Sequence, residues 1–320
     1  MSIRLIDINR ESEVYQKLID KLKPSVFNSI PWIKMFNDLK LYGIYNGNSE
    51  LIGSFYFFSF KKWGLPVNIT PPFTPHNGLC FENRAENSAN INSFNKNIMN
   101  EISDFICGLK SKLTVFGLPV GALETQPFTW KNMEVKVKYT YHIDLTQPEE
   151  TLLANLSSEK RKSLNKAKSD ALEIIRETDM EKVKQVILKT FSRKQISKNA
   201  DYFNKILFDF ATEKNAVSFV AYQNNKAIAA TFCVYDSTTA YYLFGGYDAE
   251  FKHHGAGVSC MWESILFAKK MGLKTFDFEG SMIPEVEKYF REFGGVLVPY
   301  YVVYKASWSL KAILKLGKRL

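Results

Sequence analysis

Cysteine and histidine are both scarce, at four residues each in 320. Cys80, Cys107, Cys233 and Cys260 are scattered and no Cys-x-x-Cys occurs. That spacing argues against a zinc site or a disulfide framework and points to free thiols in a reducing compartment, so a cytoplasmic protein without a metal is expected. No Ser-His-Asp arrangement is visible. No apolar run reaches the 18 or more residues that a membrane-spanning helix needs. Met1-Ser2-Ile3-Arg4 does not lead into an apolar stretch, so no signal peptide is expected.

Core-forming residues are plentiful. The chain is 46% hydrophobic and 14% aromatic, enough for one large domain or two ordinary ones. Its net charge of +9 suits a ligand that carries phosphate but is within the range of ordinary soluble proteins.

The two halves look alike. Leu41–Tyr45 leads through Asn46-Gly47-Asn48-Ser49-Glu50 into Leu51–Phe57. Val217–Tyr222 leads through Gln223-Asn224-Asn225-Lys226 into Ala227–Phe232. Each reads as a hairpin with an asparagine-containing turn, with small residues at matching places (Gly53-Ser54 and Ala229-Ala230). Helices are expected near 89–109, 149–171, 180–194 and 200–214. The expected division is 1–146, 147–306 and a basic C-terminal helix at 307–320. The expected fold class is α/β (α+β), two tandem domains that each carry a mixed, mainly antiparallel sheet flanked by helices.

Residues 241–304 carry the most chemistry. An aromatic and β-branched run ends in Gly245-Gly246. A polar turn and Gly255-Ala256-Gly257 follow, then a helical pattern from Val258 to Met271 with Gly272 as its stop. Val258, Met261, Trp262, Ile265 and Ala268 would share one face. A glycine turn at a helix N-terminus offers unpaired N–H groups and the positive end of the helix dipole to an anion. Lys252 adds charge beside it.

Lys252-x-x-Gly255-x-Gly257 resembles the pyrophosphate loop of GNAT-type N-acyltransferases, with Lys where Arg or Gln is usual. The order that follows, Asp277-Phe278-Glu279-Gly280-Ser281, then Phe293-Gly294-Gly295 and a strand through Pro299-Tyr300-Tyr301, is similar to the C-terminal domain of Fem-type double-GNAT acyltransferases. That resemblance implies donor contacts from Lys252, His254, Gly255, Ala256 and Gly257. In Fem-type proteins a basic helix follows the first domain and its Arg meets acceptor phosphate. The basic run 157–168, with five positive charges and one negative, places Arg161 and Lys166 at matching positions. Pro31-Trp32-Ile33-Lys34 is similar to a Fem-type segment that precedes a phosphate-contacting Lys, which makes Lys34 a third acceptor candidate. For each basic residue a solvated surface is the plain alternative.

N-acyl transfer needs a polarised donor carbonyl, a neutral acceptor amine and a proton for the leaving group. Glu279 is the candidate base, Asp277 its neighbour and Tyr301 a candidate acid. Glu279 as a turn acceptor and Tyr301 as core packing are the alternatives. The resemblance implies acyl-CoA as co-substrate and an amino sugar, amino acid or cell-envelope precursor as acceptor. The Fem-type alternative is aminoacyl-tRNA as donor and a peptidoglycan precursor as acceptor. A non-catalytic GNAT-fold adaptor is a third reading. The segment 307–320 has four Lys/Arg and no acid. As a helix it would either pack or rest on the inner face of an anionic membrane.

Overall fold

The computed structural model describes residues 3–190, 199–251 and 253–307. The chain divides into two compact units, Met1–Lys138 with Pro299–Leu320, and Tyr139–Val298. The division expected from the sequence falls at 146/147.

The first unit runs β1 (Arg4–Asp7), α1 (Glu13–Leu22), α2 (Ile30–Lys34), β2 (Leu39–Tyr45), β3 (Leu51–Lys62), β4 (Leu65–Ile69), β5 (Cys80–Phe81), α3 (Ser88–Gly108), β6 (Leu113–Gly117), α4 (Gln126–Trp130) and into β7 (Glu134–Asp144). β1, β2, β3 and β4 pair antiparallel in sequence order, and β4 then pairs parallel with β6 across the α3 crossover. Ile98, Ile102 and Ile106 recur every four residues on α3, so one helical face is apolar. All three are fully buried in a core with Phe55, Phe57 and Phe116.

The second unit continues β7 with α5 (Glu149–Asn155), α6 (Ser158–Ser169), β8 (Glu173–Arg176), α7 (Met180–Thr190), α8 (Ala200–Asn204), β9 (Ala216–Gln223), β10 (Lys226–Tyr235), β11 (Thr239–Tyr247), α9 (Ala256–Lys270), β12 (Thr275–Asp277), α10 (Pro284–Arg291) and the start of β13 (Val296–Ala306). β8, β9, β10 and β11 pair antiparallel, and β11 then pairs parallel with β12 across α9. On its other edge β12 pairs antiparallel with β7. The last part of β13 returns to the first unit and pairs antiparallel with β6. Each unit therefore repeats one plan: an antiparallel run of four strands, a helical crossover, one parallel strand, and a closing antiparallel strand.

Three local expectations change. The helix expected over 149–171 breaks at Leu156-Ser157, because the Ser157 hydroxyl accepts the Lys160 N–H and starts a new helix. The helix expected from Val258 already begins at Ala256. The segment 200–214 is one short helix that passes into a wider π turn over Lys205–Phe210. The last four residues of the helix expected over 180–194 lie outside the described residues, as does the C-terminal helix from 308 onward.

Candidate functional site

The candidate site is in the second unit, where β11 and β12 part. Their parallel pairing covers three residues and ends at Tyr241 opposite Asp277. β11 continues to Tyr247 and feeds the turn that starts α9. β12 stops, and the chain bends away through Glu279 (φ 58°) and Gly280 (φ 66°). Gly280 is required, since a Cβ there would come within 2.0 Å of the Tyr139 carbonyl oxygen. A glutamate in the left-handed region is held against its preference.

Asp277 holds that bend. It accepts the Glu279 N–H at 2.8 Å and the Thr140 hydroxyl at 2.5 Å, and its second oxygen lies 3.0 Å from Nε2 of His142. Thr140 and His142 alternate on β7 and so reach the same side. Asp277 itself is 6% exposed. Asp277 is thus occupied by three partners. The Glu279 carboxyl, by contrast, has no hydrogen-bond partner among the described residues. It keeps part of its surface open while being crowded by neighbouring atoms. That crowding, and then the charge of Asp277, push its pKa well above the usual carboxylate value. His142 also forms part of the wall of a cavity of about 520 Å³, together with Asp144, Asn155, Lys274 and Phe293.

The glycine turn has two different glycines. At Gly255 a Cβ would come within 2.4 Å of the Ser163 carbonyl and 2.9 Å of Ala167, so this glycine is needed for α9 to approach α6. At Gly257 a Cβ would meet only the Tyr289 hydroxyl, at 3.7 Å. The N–H groups of Gly257 and Val258 meet no carbonyl among the described residues. His253 stiffens the turn: its Nδ1 accepts the Gly255 N–H at 3.1 Å, so Nε2 carries the proton and donates to Asp170 at 3.0 Å. His254 is exposed, and Lys252 lies outside the described residues.

In the basic helix α6, Arg161, Lys166 and Lys160 each have partners of their own. Nη1 of Arg161 donates to the carbonyls of Ala154 and Leu156 at the end of α5. Lys166 is exposed and pairs with Asp170 at 2.7 Å. Lys160, which the sequence reading passed over, is 6% exposed. Its ammonium lies 3.6 Å from the centre of the Tyr289 ring and 3.4 Å from the Glu292 carboxylate. Burial lowers its pKa. The other two expected residues belong to the first unit. Lys34 is exposed and pairs with Glu11 at 3.2 Å. Tyr301 packs partly buried against the first core, and its carbonyl accepts the Leu118 N–H.

Residues 158–291 match the family model described as "Acetyltransferase (GNAT) domain". The chain carries a GNAT domain. The match begins at α6 and ends with α10, so it contains the splayed strands, the glycine turn and Glu279. Along nearly its whole length the chain also has the fold of tandem GNAT proteins. It is similar to FemX (TM-score 0.68, 10% identity, 98% of this chain and 100% of that one). It is similar to L-PGS from Bacillus licheniformis (TM-score 0.57, 12% identity, 98% of each chain). It is also similar to the tandem GNAT protein from the clavulanic acid biosynthesis pathway (TM-score 0.55, 9% identity, 95% and 98%). No curated protein sequence matches the chain. Among the described residues no group of His, Cys, Asp and Glu is placed to hold a metal ion, and no helix is long and apolar enough to cross a membrane.

Proposed function

We propose that the protein is an N-acyltransferase whose second unit binds an acyl-CoA donor and transfers the acyl group to an amine. The acceptor class is an amino sugar, an amino acid or a cell-envelope precursor. The observation that carries this reading is the unpaired Glu279 carboxyl at the point where β11 and β12 diverge. A carboxyl group with a raised pKa is a competent proton acceptor near neutral pH. The acceptor nitrogen attacks the thioester carbonyl, the C–N bond forms and the C–S bond breaks. The proton from nitrogen goes to Glu279, and the thiolate takes a proton from solvent. Asp277 acts as a positioning residue, because it fixes the bend that carries Glu279.

For the donor, the open N–H groups of Gly257 and Val258 suit pyrophosphate oxygens at a helix N-terminus, with His254, Gly255 and Ala256 around them. For the acceptor, Lys166 holds a surface ion pair that a phosphate displaces at little cost. Arg161 has to release two carbonyls or use its remaining N–H groups. A second reading keeps the chemistry and changes the donor to aminoacyl-tRNA, with a peptidoglycan precursor as acceptor. The likeness to FemX over 98% of the chain favours keeping it.

Calorimetric titration with acetyl-CoA and free CoA, on the protein and on Gly257→Trp, tests the donor. Binding that the variant abolishes supports acyl-CoA. A protein that binds neither CoA species but binds charged tRNA moves the assignment to the second reading. Glu279→Gln then tests the base: a rate loss of about a hundredfold or more with donor binding retained is expected. Unchanged turnover would remove Glu279 from the mechanism, and binding without any turnover would leave the adaptor reading.

A further inference from the structure

The first unit has a feature that acyl transfer does not use. β3 and β4 are joined by a two-residue turn, Trp63-Gly64, between the paired residues Lys62 and Leu65. Both turn residues have positive φ (52° and 76°), as the tight hairpin turns that match strand twist require. A tight turn of the second unit, between β9 and β10, has Asn224-Asn225 at φ 50° and 61°. Asparagine tolerates that conformation, and a bulky aromatic residue is an outlier in it. Trp63 is nevertheless there, 87% exposed, with the Lys62 ammonium 5.0 Å from its ring centre. Packing does not explain it, since the indole is almost wholly in solvent.

Its surroundings carry one sign of charge. Residues 51–81 and 105–123 contain no Asp or Glu. Lys61, Lys62, Lys110 and Lys112 are all exposed. None of the four has a carboxylate at ion-pair distance among the described residues. The Lys112 N–H donates to the Pro66 carbonyl at 2.9 Å, so the α3–β6 connection lies beside the hairpin tip. The Ser307 N–H in turn donates to the Lys112 carbonyl at 3.0 Å. The last described residue thus also lies at this end of the unit.

We propose that this end of the first unit docks on an anionic lipid surface, with Trp63 and Leu65 entering the headgroup layer and the lysines meeting its negative charge. An exposed indole beside a leucine and a proline partitions at the lipid–water interface, while basic residues nearby supply the electrostatic attraction. The exposed Leu65 and Pro66 favour lipid over nucleic acid, because they offer a base neither a ring to stack on nor a hydrogen bond. The inference is independent of the transferase chemistry.

Co-sedimentation with vesicles of phosphatidylcholine alone, and of equal parts phosphatidylcholine and phosphatidylglycerol, tests it. Binding is expected only to the anionic vesicles, with Trp fluorescence quenched by brominated lipid. Trp63→Asn is the sharp variant, since asparagine suits the turn and so leaves the fold intact. It should lose most of the quenching and weaken binding several-fold. Lys61→Glu with Lys62→Glu should weaken binding at least about twentyfold, at about fivefold for each lysine near a charged surface. Binding unchanged in both variants, or absent from anionic vesicles, overturns the proposal. Retained tRNA binding that depends on Trp63 without vesicle binding overturns it too and assigns the patch to nucleic acid.

Discussion

The two units share a strand plan and differ where it opens. In the first, the parallel pairing of β4 with β6 ends at Asn68 opposite Thr114. In the second, that of β11 with β12 ends at Tyr241 opposite Asp277. Beyond this point the first unit is filled by its own chain. The fully buried side chain of Asn77 accepts the Gly117 N–H and the Thr70 hydroxyl, and donates to the carbonyls of Tyr56 and Ile69. Its backbone N–H donates to the Gly117 carbonyl. One amide thus joins β3, the end of β4 and the end of β6. The second unit has an unpaired carboxyl at the corresponding bend, and no such stitch among the described residues. A splayed pair of strands leaves backbone groups that need partners. A chain that supplies them internally gives a closed scaffold, and one that leaves them open keeps a place for a ligand.

The largest effect should follow from removing the stitch. Asn77→Ala strands the Gly117 N–H, the Thr70 hydroxyl and the carbonyls of Tyr56 and Ile69 at once, and is expected to cost about 4 kcal/mol of stability. Urea unfolding followed by amide exchange should show the loss first in β4 and β6. If those amides keep wild-type protection, the closed splay of the first unit is not held by Asn77 and the contrast between the units weakens.

A smaller effect separates the two glycines of the turn. Gly255→Ala pushes a methyl group into the Ser163 carbonyl and should cost about 2 kcal/mol through displacement of α6. Gly257→Ala meets nothing nearer than 3.7 Å and should change stability by less than about 0.5 kcal/mol. Thermal melts of the two variants measure the difference. Equal losses would mean that both glycines serve helix packing, and the turn would no longer be distinguished as a binding element.

The sequence made some of this legible. The apolar face of α9 follows helical spacing, and Val258, Met261, Trp262, Ile265 and Ala268 are all buried. The turn residues Gly255 to Gly257 and the bend at Glu279 are local features, and local signals can be read from one chain. Lys160 was also within reach. Lys160, Leu164 and Ala167 stand at i, i+4 and i+7 and form the buried stripe of α6, whereas Arg161 and Lys166 fall off it. The run reads as uniformly basic unless its period is followed through the charge. His142 was not within reach. It meets Asp277 because β7 pairs with β12 across 135 residues, and no spacing in the sequence carries that register. The closing role of Asn77 was hidden in the same way, since its partners come from three separate strands.

The smallest effect, and the one that bears most directly on the open splay, is the pH dependence at Glu279. Its carboxyl ionises near 4.5 when the chain is unfolded and well above that when folded, through burial and the charge of Asp277. Above the unfolded value the unfolded chain has released this proton while the folded chain still holds it. The folded state binds more protons there, so stability falls as pH rises through the window from about 4.5 to the folded value. Below 4.5 both states are protonated and the penalty vanishes. Glu279→Gln removes the titration, so the variant should match the protein in acid and exceed it in stability at neutral pH. Urea midpoints across pH 4 to 8 read this directly. Curves for the two proteins that stay parallel would place the Glu279 carboxyl in water, and the second unit would then lack the proposed proton acceptor that sets its open splay apart from the closed one.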